Sequence, residues 1–308
     1  MDIGQGITFG AGVNITPQPP PPSNKAIFGY GTAASATSVT NLVSVTGVVA
    51  TDTTGVGTAR QALAAATYGT DKAIFGYGNS PITAITNKVS NTGVVATDTT
   101  GVGTARMALA AAGYGTDKAI FGYGDTTGNL AYTAITNLVS NTGTVATDTT
   151  GVGTPRRFLA ASGYGTDKSI FGYGFDGSNL STTNLVSNTG IVANNTTGVG
   201  TVRRSLAAAG YGTDKAIFGY GYTNTGESMT NKVSNTGVVA TDTTGVGTAR
   251  YLLAAASYST DKAIFGYGTT GPYLSMTNLV SNTGVVATDT TGVGTARNGL
   301  AAASYGLS

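Results

Sequence analysis

The sequence contains no cysteine and no histidine, and Glu227 is its only glutamate. The absence of cysteine excludes disulfide bonds, thiol catalysis and cysteine-based zinc sites, and the absence of histidine removes the usual general base. Most aspartates recur once per repeat unit, whereas a catalytic acid should be unique. Asp-Thr-Thr-Gly offers one carboxylate per unit, and Ca²⁺ takes about six to eight oxygen ligands. We therefore expect no enzymatic activity, no metal and no other cofactor.

Charge and long apolar runs are also scarce. Only 10% of residues are charged, the net charge is +2, and there is no run of basic residues, so we expect no nucleic-acid partner. No apolar run approaches the ~20 residues of a membrane-spanning helix, so we expect no membrane insertion. Residues 1–6 lack the basic and apolar regions of a secretory signal. The neutral, hydroxyl-rich composition suits packing into a larger assembly.

What the sequence does contain is a repeat. Lys-Ala-Ile-Phe-Gly-Tyr-Gly, with Ser for Ala in one unit, starts at Lys25, Lys72, Lys118, Lys168, Lys215 and Lys262. Gly-Val-Gly-Thr-x-Arg ends at arginines 46 to 50 residues apart, namely Arg60, Arg106, Arg156, Arg203, Arg250 and Arg297. Such a period is typical of solenoids, propellers and arrays, whose units bury their apolar faces against their neighbours. We predict one repeat domain over residues 25–308, with units near 25–60 plus 298–308, 61–106, 107–156, 157–203, 204–250 and 251–297.

Each unit is predicted to contain four short strands, which we name a to d. In the unit 61–106 they are Leu63–Tyr68, Lys72–Tyr77, Thr86–Ser90 and Val94–Asp98, separated by turn residues such as Asn-Thr-Gly. Repeated units of this kind indicate an all-β fold, a six-bladed β-propeller of four-stranded antiparallel blades. The small side chains of strand a suit the crowded centre of a propeller. A β-solenoid or another array is the alternative.

The two chain ends predict closure of the propeller into a ring. The first unit begins with strand b at Lys25, and the last repeat arginine is followed by an additional strand a, Leu300–Tyr305. A blade formed from both termini would leave no open sheet edge, whereas an open solenoid would need polar caps. We therefore expect Ala302 to lie close to Ile27.

Arg-x-x-Leu-Ala-Ala-Ala-x-Tyr-Gly-x-Asp-Lys-Ala-Ile-Phe-Gly-Tyr-Gly resembles the kelch repeat, and the resemblance extends over residues 25–308. It implies a kelch-like β-propeller. This chain departs from the family in having Gly-Tyr-Gly where kelch repeats have Gly-Gly. The resemblance does not imply one function, because the fold carries enzymes, adaptors and lectin-like binders.

Residues 1–24 differ from the repeats and are predicted to form an extended N-terminal anchoring arm. The segment 7–15 alternates apolar with small or polar residues, as a half-buried strand does, and the segment 17–22 predicts a polyproline II spacer. A lone strand needs a partner, so we expect it to add to the sheet of another protein. The apolar residues expected to make this contact are Ile7, Phe9, Val13 and Ile15. A disordered tail is the alternative.

Gly-Ile-Thr-Phe-Gly-Ala-Gly-Val-Asn-Ile in this arm resembles a type of segment found in structural proteins of tailed bacteriophages. The near-identical Gly- and Thr-rich repeats are similar to those of phage virion proteins. The resemblance implies a tail fibre, a tail-associated protein or a capsid decoration, made in the host cytoplasm and located in the virion. It also implies that the arm binds other virion proteins within a homo- or hetero-oligomeric assembly.

The repeat arginines, lysines and aspartates form rings of like charge in a closed propeller. One interpretation is structural, with the arginines pairing with aspartate or donating to backbone carbonyls between blades. The other is an anion-binding ring at one mouth of the channel. The aspartate that follows Ala-Thr in strand d is present in five units, with Asn194 as the exception in the sixth.

Variation between units is concentrated in the b–c connection and in the two residues after each repeat arginine. In an antiparallel meander the b–c and d–a connections emerge on the same face, so this variation collects on one face. Aromatic residues and arginine are the usual anchors of binding surfaces. The candidate binding residues on this variable face are Tyr132, Phe175, Tyr222, Tyr273, Arg157, Phe158, Arg204 and Tyr251. Drift in tolerant loops is the alternative.

The function that we expect is a virion structural protein, anchored by its arm, that displays the propeller to a protein partner or to a host-surface receptor or glycan. The alternatives are a lectin-like propeller that binds sugar and an intracellular kelch-like adaptor. The absence of tryptophan argues against the lectin-like alternative, because sugar binding usually uses a large aromatic side chain in each site.

Overall fold

The computed structural model describes Thr8–Phe9, Val13–Asn14 and residues 24–307 of the chain, and these residues contain strands but no helix. They form six three-stranded antiparallel sheets and one two-stranded sheet. We call each three-stranded sheet a blade. Numbered along the chain, the two-stranded sheet is β1 (Thr8–Phe9) and β2 (Val13–Asn14).

Each blade has the strand order a–b–c, as predicted. Strand b of blades 1 to 6 is β3 (Asn24–Gly29), β6 (Lys72–Gly76), β9 (Lys118–Asp125), β12 (Lys168–Phe175), β15 (Lys215–Tyr222) and β18 (Lys262–Thr269). Strand c is β4 (Thr40–Val43), β7 (Thr86–Val89), β10 (Tyr132–Val139), β13 (Asn179–Val186), β16 (Gly226–Val233) and β19 (Tyr273–Val280). Strand a is β20 (Ala301–Leu307), β5 (Ala64–Tyr68), β8 (Ala110–Tyr114), β11 (Ala160–Tyr164), β14 (Ala207–Tyr211) and β17 (Ala254–Tyr258).

The hydrophobic core lies between the blades. In β6, Ile74 and Phe75 are both fully buried, although consecutive residues of a strand point to opposite faces. Ile74 packs with Phe121 of blade 3, whereas Phe75 packs with Ile27 of blade 1. Equivalent clusters lie between each pair of successive blades and also between blades 6 and 1. A continuous apolar run in strand b is therefore required, because both of its faces are covered.

The Gly-Tyr-Gly motif lets neighbouring blades approach closely. A Cβ on Gly76 would lie 2.7 Å from Phe121 Cζ of the next blade, so the position has room only for glycine. Tyr77 follows with φ of 62°, and the tyrosines of the other five motifs have φ between 62° and 65°. A left-handed tyrosine is strained by about 1–2 kcal/mol, which the surrounding contacts must offset. The ring of Tyr77 packs edge-on against Phe121 at 5.1 Å, and its hydroxyl donates to the carbonyl of Val102 at 3.0 Å.

The chain ends meet in blade 1. Strand β20 pairs antiparallel with β3, and Ala302 and Ala303 lie opposite Phe28 and Ile27. The six strands a contact each other in chain order, and β20 also contacts β5. The arrangement is therefore propeller-like, with strands a nearest to the centre.

Backbone hydrogen bonds link the starts of the strands a around the centre. The N–H of Ala108 donates to the carbonyl of Ala62 at 2.8 Å, and the N–H of Ala62 donates to the carbonyl of Gly299 at 2.7 Å. The bonds run through all six blades and return to the first. The residues of this ring have φ between 52° and 60°, and they are Ala62, Ala108, Phe158, Ser205, Leu252 and Gly299. A second set links the a–b turns, for example from Gly69 N–H to the carbonyl of Asp117 at 2.7 Å.

The predicted fourth strand is not formed as a ladder. In blade 2, segment d makes only isolated bridges to strand c, Val89 with Val95 and Thr86 with Thr99. Between these bridges the side-chain amide of Asn87, which is fully buried, donates to the carbonyl of Ala96 at 3.0 Å. The carbonyl of Ala96 thus accepts a hydrogen bond from a side chain and not from the backbone of strand c. The two bridges are three residues apart in strand c and four residues apart in segment d, so a regular ladder cannot form between them. The blades have three strands, with segment d as a bridged outer edge.

The prediction of one strand over residues 7–15 is wrong for the part that the structure describes. Phe9 lies opposite Val13, and Thr8 lies opposite Asn14, in the two-stranded sheet of β1 and β2. Ile7, Ile15 and the predicted polyproline spacer lie outside the described residues.

Candidate binding face

The six repeat arginines lie between blades and are fully buried. Arg106 Nε donates to the carbonyl of Tyr123 at 2.8 Å, and Nη2 donates to Asn137 Oδ1 at 2.7 Å, both in the next blade. Its Nη1 donates to the carbonyl of Thr104 at 3.0 Å, and its guanidinium lies 4.3 Å from the ring centroid of Tyr77. The other five arginines have the same three donors and stacking partner.

Burial of this network shifts the pKa of both stacked partners. Burial lowers the pKa of Arg106 and raises the pKa of Tyr77. In the equivalent pairs, burial raises the pKa of Tyr30 and Tyr220 to about 12. Because the guanidinium groups are inaccessible and their donors are used within the protein, they do not form a binding ring at a channel mouth. Their contacts agree with the structural interpretation, in which the arginines donate to groups of the neighbouring blade.

The repeat aspartates at the end of segment d form a second tie between blades. Asp148 accepts hydrogen bonds from the backbone N–H of Thr104 at 3.1 Å and from its hydroxyl at 2.6 Å, and from Asn137 Nδ2 at 2.9 Å. Partial burial opposes the charge, but the hydrogen bonds from Thr104 and Asn137 hold the pKa of Asp148 below its usual value. In blade 4 the position is occupied by Asn195, not Asn194, and its amide donates to the Thr154 hydroxyl at 2.7 Å.

The variable face differs between blades at one pair of positions. The residue after each repeat arginine forms an isolated bridge with the residue after each Gly-Tyr-Gly, and we call these two residues the rim pair. From blade 1 to blade 6 the rim pairs are Asn298–Thr32, Gln61–Asn79, Met107–Asp125, Arg157–Phe175, Arg204–Tyr222 and Tyr251–Thr269. Blades 1 and 2 thus carry small or neutral polar pairs, and blades 3 to 6 carry the large and charged residues.

Seven of the eight predicted binding residues form one continuous group, the Arg–aromatic cluster. Its members are Tyr132, Arg157, Phe158, Phe175, Arg204, Tyr222 and Tyr251. At one end, the Arg157 guanidinium lies 5.4 Å from the ring centroid of Tyr132 and 4.9 Å from that of Phe158. The rings of Tyr132 and Phe175 meet edge-on at 6.2 Å.

The cluster continues across blades 4 to 6. The Arg204 guanidinium lies 4.5 Å from the ring centroid of Phe175 and 5.0 Å from that of Tyr222. The ring of Tyr222 then meets Tyr251 edge-on at 4.8 Å. Tyr273, the eighth predicted residue, is 41% exposed and makes no aromatic or cation–π contact within the described part of the chain. It lies in blade 6, and the following blade presents only the Asn298–Thr32 rim pair.

Two members of this face were not predicted as site residues. Asp125 is fully buried, and its carboxylate accepts a hydrogen bond from Arg157 Nη1 at 2.9 Å and from the N–H of Gly128 at 2.9 Å. Asn179 Oδ1 accepts a hydrogen bond from Arg204 Nη1 at 3.0 Å. A signal for Asp125 exists in the sequence, because it is the only acid at its repeat position and Arg157 begins the following unit.

The anchoring residues predicted in the arm are described only in part. The backbones of Phe9 and Val13 pair with each other, and Ile7 and Ile15 lie outside the described residues. Within the described ranges, no helix is long and apolar enough to cross a membrane, and no three residues of the His, Cys, Asp and Glu types gather into a metal site.

Two cavities lie along the strands a. One of ≈ 290 Å³ is lined by residues of the a–b turns, including Thr116 and Lys118. Lys118 Nζ lies 2.9 Å from Asp117 Oδ1, so its charge is paired. The other cavity is only ≈ 70 Å³ and lies among the leucines at the starts of the strands a, such as Leu63. Neither cavity brings together unpaired charged groups, so the Arg–aromatic cluster is the stronger candidate site.

The cluster offers aromatic faces and guanidinium donors, which suit binding, and it contains no paired nucleophile and base. The chain matches no protein-family model and no curated protein at a significant level. Its function therefore has to be argued from the residues and geometry described above.

Proposed function

We propose that this chain is a non-enzymatic structural protein of a phage virion, such as a tail fibre, a tail-associated protein or a capsid decoration. In this proposal the N-terminal arm anchors the chain to other virion proteins. A closed, kelch-like six-bladed propeller, in which segment d completes each blade as a bridged edge, then displays the variable face to a protein or host-surface partner.

One observation supports the binding role: the Arg–aromatic cluster is confined to some blades, although the six blades are otherwise nearly identical. The arginine ties recur in all six blades with nearly constant distances, as Arg60 and Arg106 illustrate, and the aspartate ties recur in five blades, with Asn195 in the remaining one. The rim pairs do not follow this repetition, and the large residues are confined to successive blades 3 to 6. Stability of the ring does not explain this difference, because blades 1 and 2 have the same ties with small or neutral rim pairs. Arginine and aromatic side chains are the residue types that anchor interfaces.

The outer edge of the blades supports a place in an assembly. The residue after each c–d turn glycine is an exposed valine or isoleucine in five blades, with exposures between 61% and 70%, and the set is Val48, Val94, Ile191, Val238 and Val285. The equivalent residue in blade 3 is Thr144. Protected edges usually carry lysine or proline, and segment d carries neither. Such an edge suits close lateral packing against neighbouring proteins.

The test of the anchoring role is deletion of residues 1–22, followed by measurement of incorporation into phage particles. We expect the full chain to co-purify with particles and the deleted chain to remain in the soluble fraction. Circular dichroism should show the same β signal for both proteins, because β3 begins at Asn24 and remains in the deleted chain. Normal incorporation of the deleted chain would contradict the proposal.

A lectin-like propeller is the second candidate function. The observation that favours it is the Arg–aromatic cluster, which combines apolar ring faces with hydrogen-bond donors. Incorporation into particles separates the two candidates. A free lectin should bind sugars on a glycan array without co-purifying with particles, whereas a virion component should co-purify with particles whether or not its variable face binds a glycan.

A further inference from the structure

The two arginines of the Arg–aromatic cluster occupy the same repeat position but have different surroundings. Arg157 is paired with Asp125, whose side chain is 0% exposed, and the Arg157 side chain is itself only 16% exposed. The Asp125 carboxylate also accepts backbone N–H groups of the b–c loop of its own blade. This pair ties blade 3 to blade 4, and the Asp125 carboxylate compensates the charge of Arg157, whose Nε is buried without a hydrogen-bond partner among the described residues.

Arg204 has no carboxylate partner among the described residues. Its guanidinium lies between the rings of Phe175 and Tyr222, at 4.5 and 5.0 Å from their centroids. Only Nη1 has a hydrogen-bond acceptor in the described part of the chain, Asn179 Oδ1 at 3.0 Å. Asn179 is oriented in turn by its own amide, which donates to the carbonyl of Thr223 at 2.9 Å.

This arrangement fixes a guanidinium in place and leaves most of its donors free. The two rings and Asn179 reduce the rotamer freedom of Arg204, so less entropy is lost when it binds a ligand. Within the described residues, Glu227 and Asp176 of the b–c connections form no ion pair with Arg204; Glu227 accepts a hydrogen bond from the hydroxyl of Thr223, and Asp176 accepts one from the N–H of Ser178. Arg204 is therefore a half-buried positive charge without a salt-bridge partner among the described residues, beside the aromatic rings of the cluster.

We propose that Arg204, held between Phe175 and Tyr222, binds the carboxylate of an acidic sugar in a surface polysaccharide. A guanidinium binds a carboxylate through two parallel hydrogen bonds, which a neutral sugar lacks. The aromatic side chains Tyr222 and Tyr251 then supply the apolar surface that the ring of a sugar can contact. This inference rests on the proposed display of the variable face, and it names the ligand class of that face.

The test compares binding of acidic, neutral and sulfated oligosaccharides by isothermal titration calorimetry at about 150 mM salt, where non-specific attraction is screened. The probes are oligogalacturonate, alginate oligomers and sialylated oligosaccharides, with neutral galactan and sulfated galactan oligomers for comparison. We expect at least one carboxylated probe to bind and the neutral galactan not to bind.

The variants use residues that the same scaffold position already holds in another blade, so the fold should tolerate them. Arg204→Gln introduces the residue type of Gln61 in blade 2, and we expect it to weaken binding about tenfold or more. Tyr222→Thr introduces the residue type of Thr269 and keeps the charge, and we expect it to weaken binding by about threefold to tenfold through loss of one ring. Tyr273→Asn, outside the cluster, should leave binding unchanged.

Three results would overturn the assignment. They are no binding of any carboxylated probe, equal binding of the neutral or sulfated probe, and unchanged affinity in the Arg204→Gln variant. None of them affects the incorporation of the chain into particles, so the proposed function would stand. Conversely, normal incorporation of the arm-deleted chain would contradict the virion proposal and leave the carboxylate site intact.

Discussion

Substitution of Arg297 by methionine tests both the buried arginine network and the joining of the chain ends. Arg297 Nε donates to the carbonyl of Tyr30 and Nη2 donates to Asn41 Oδ1, both at 2.8 Å. These partners are 267 and 256 residues away in the sequence, since they lie in blade 1. Arg106 makes the same bonds to partners only 17 and 31 residues away. The two arginines therefore have matching local contacts and very different chain separations.

The expected loss follows from the contacts that methionine cannot make. Two buried acceptors, the Tyr30 carbonyl and Asn41 Oδ1, lose their donor, at about 1–3 kcal/mol each. The carbonyl of Thr295 is only partly buried and can turn to water. Loss of the contact with the Tyr267 ring, at 4.3 Å from its centroid, adds about 0.5–2 kcal/mol. Removal of the buried charge returns part of its desolvation cost, which leaves a net loss of about 3–5 kcal/mol.

The assay is urea unfolding followed by far-ultraviolet circular dichroism and tyrosine fluorescence, with free energies of unfolding from linear extrapolation. Arg106→Met should cost as much as Arg297→Met. Lys88→Leu is the control, because Lys88 is a half-buried cation whose ammonium makes only a solvent-exposed hydrogen bond, at a position where four other blades have leucine. Its loss should stay within about 0.5 kcal/mol. A loss below about 1 kcal/mol in both arginine variants would refute the reasoning about the buried network. A costly Arg106→Met with a neutral Arg297→Met would instead refute a sealed ring.

Two further predictions concern the ties between blades. Gly76→Ala places a Cβ 2.7 Å from Phe121 Cζ and should lower the free energy of unfolding, measured in urea, by about 1–3 kcal/mol. The control is Gly113→Ser, at a position where other blades carry threonine or serine, and it should change this free energy little. Partial burial opposes the charge of Asp98, but hydrogen bonds from a threonine and an asparagine hold its pKa below the usual value. The ionised Asp98 side chain therefore stabilises the folded protein above about pH 4, and this stabilisation is lost as pH falls through the lowered pKa. Asp98→Asn, the residue type that Asn195 supplies in blade 4, should therefore cost about 0.5–1 kcal/mol at pH 7 and progressively less as pH falls through the lowered pKa. A pH-independent loss in urea midpoints would contradict this assignment.

Strands a, b and c are predictable from the sequence because each carries a strong local pattern. Strand b is a continuous apolar run ending in Gly-Tyr-Gly, and strand a is a run of small residues ending in tyrosine. Segment d has an equally good strand composition, and the prediction of a fourth ladder fails there because of one side chain, Asn87. Its amide bonds to Ala96 and to Asp98, in place of regular ladder bonds. Strand propensity does not register such a competing side-chain bond.

The location of the candidate site is predictable, and its internal geometry is not. Topology alone places the b–c connections and the residues after each repeat arginine on one face. Which of them touch depends on rotation between blades, which the sequence does not reveal. Tyr273 illustrates the limit, since it has the right residue type and connection but no large neighbour in the next blade. Asp125 illustrates the reverse, a residue in no predicted set that neutralises Arg157.

The separation of the repeated ties from the variable face explains how near-identical units can carry a specific site. The repeat arginine lies one residue before a rim position, so Arg203 is fully buried while Arg204 is half-buried on the variable face. One residue of the chain maintains the scaffold, and the next is free to change, because its backbone bridge to Tyr222 is independent of its side chain. Each blade therefore offers one rim pair that can change without loss of the ties, and this chain has used four successive blades in that way. A binding surface built on this principle can be moved to other blades by exchanging rim pairs together with their neighbours in strand c, such as Asn179 for Arg204.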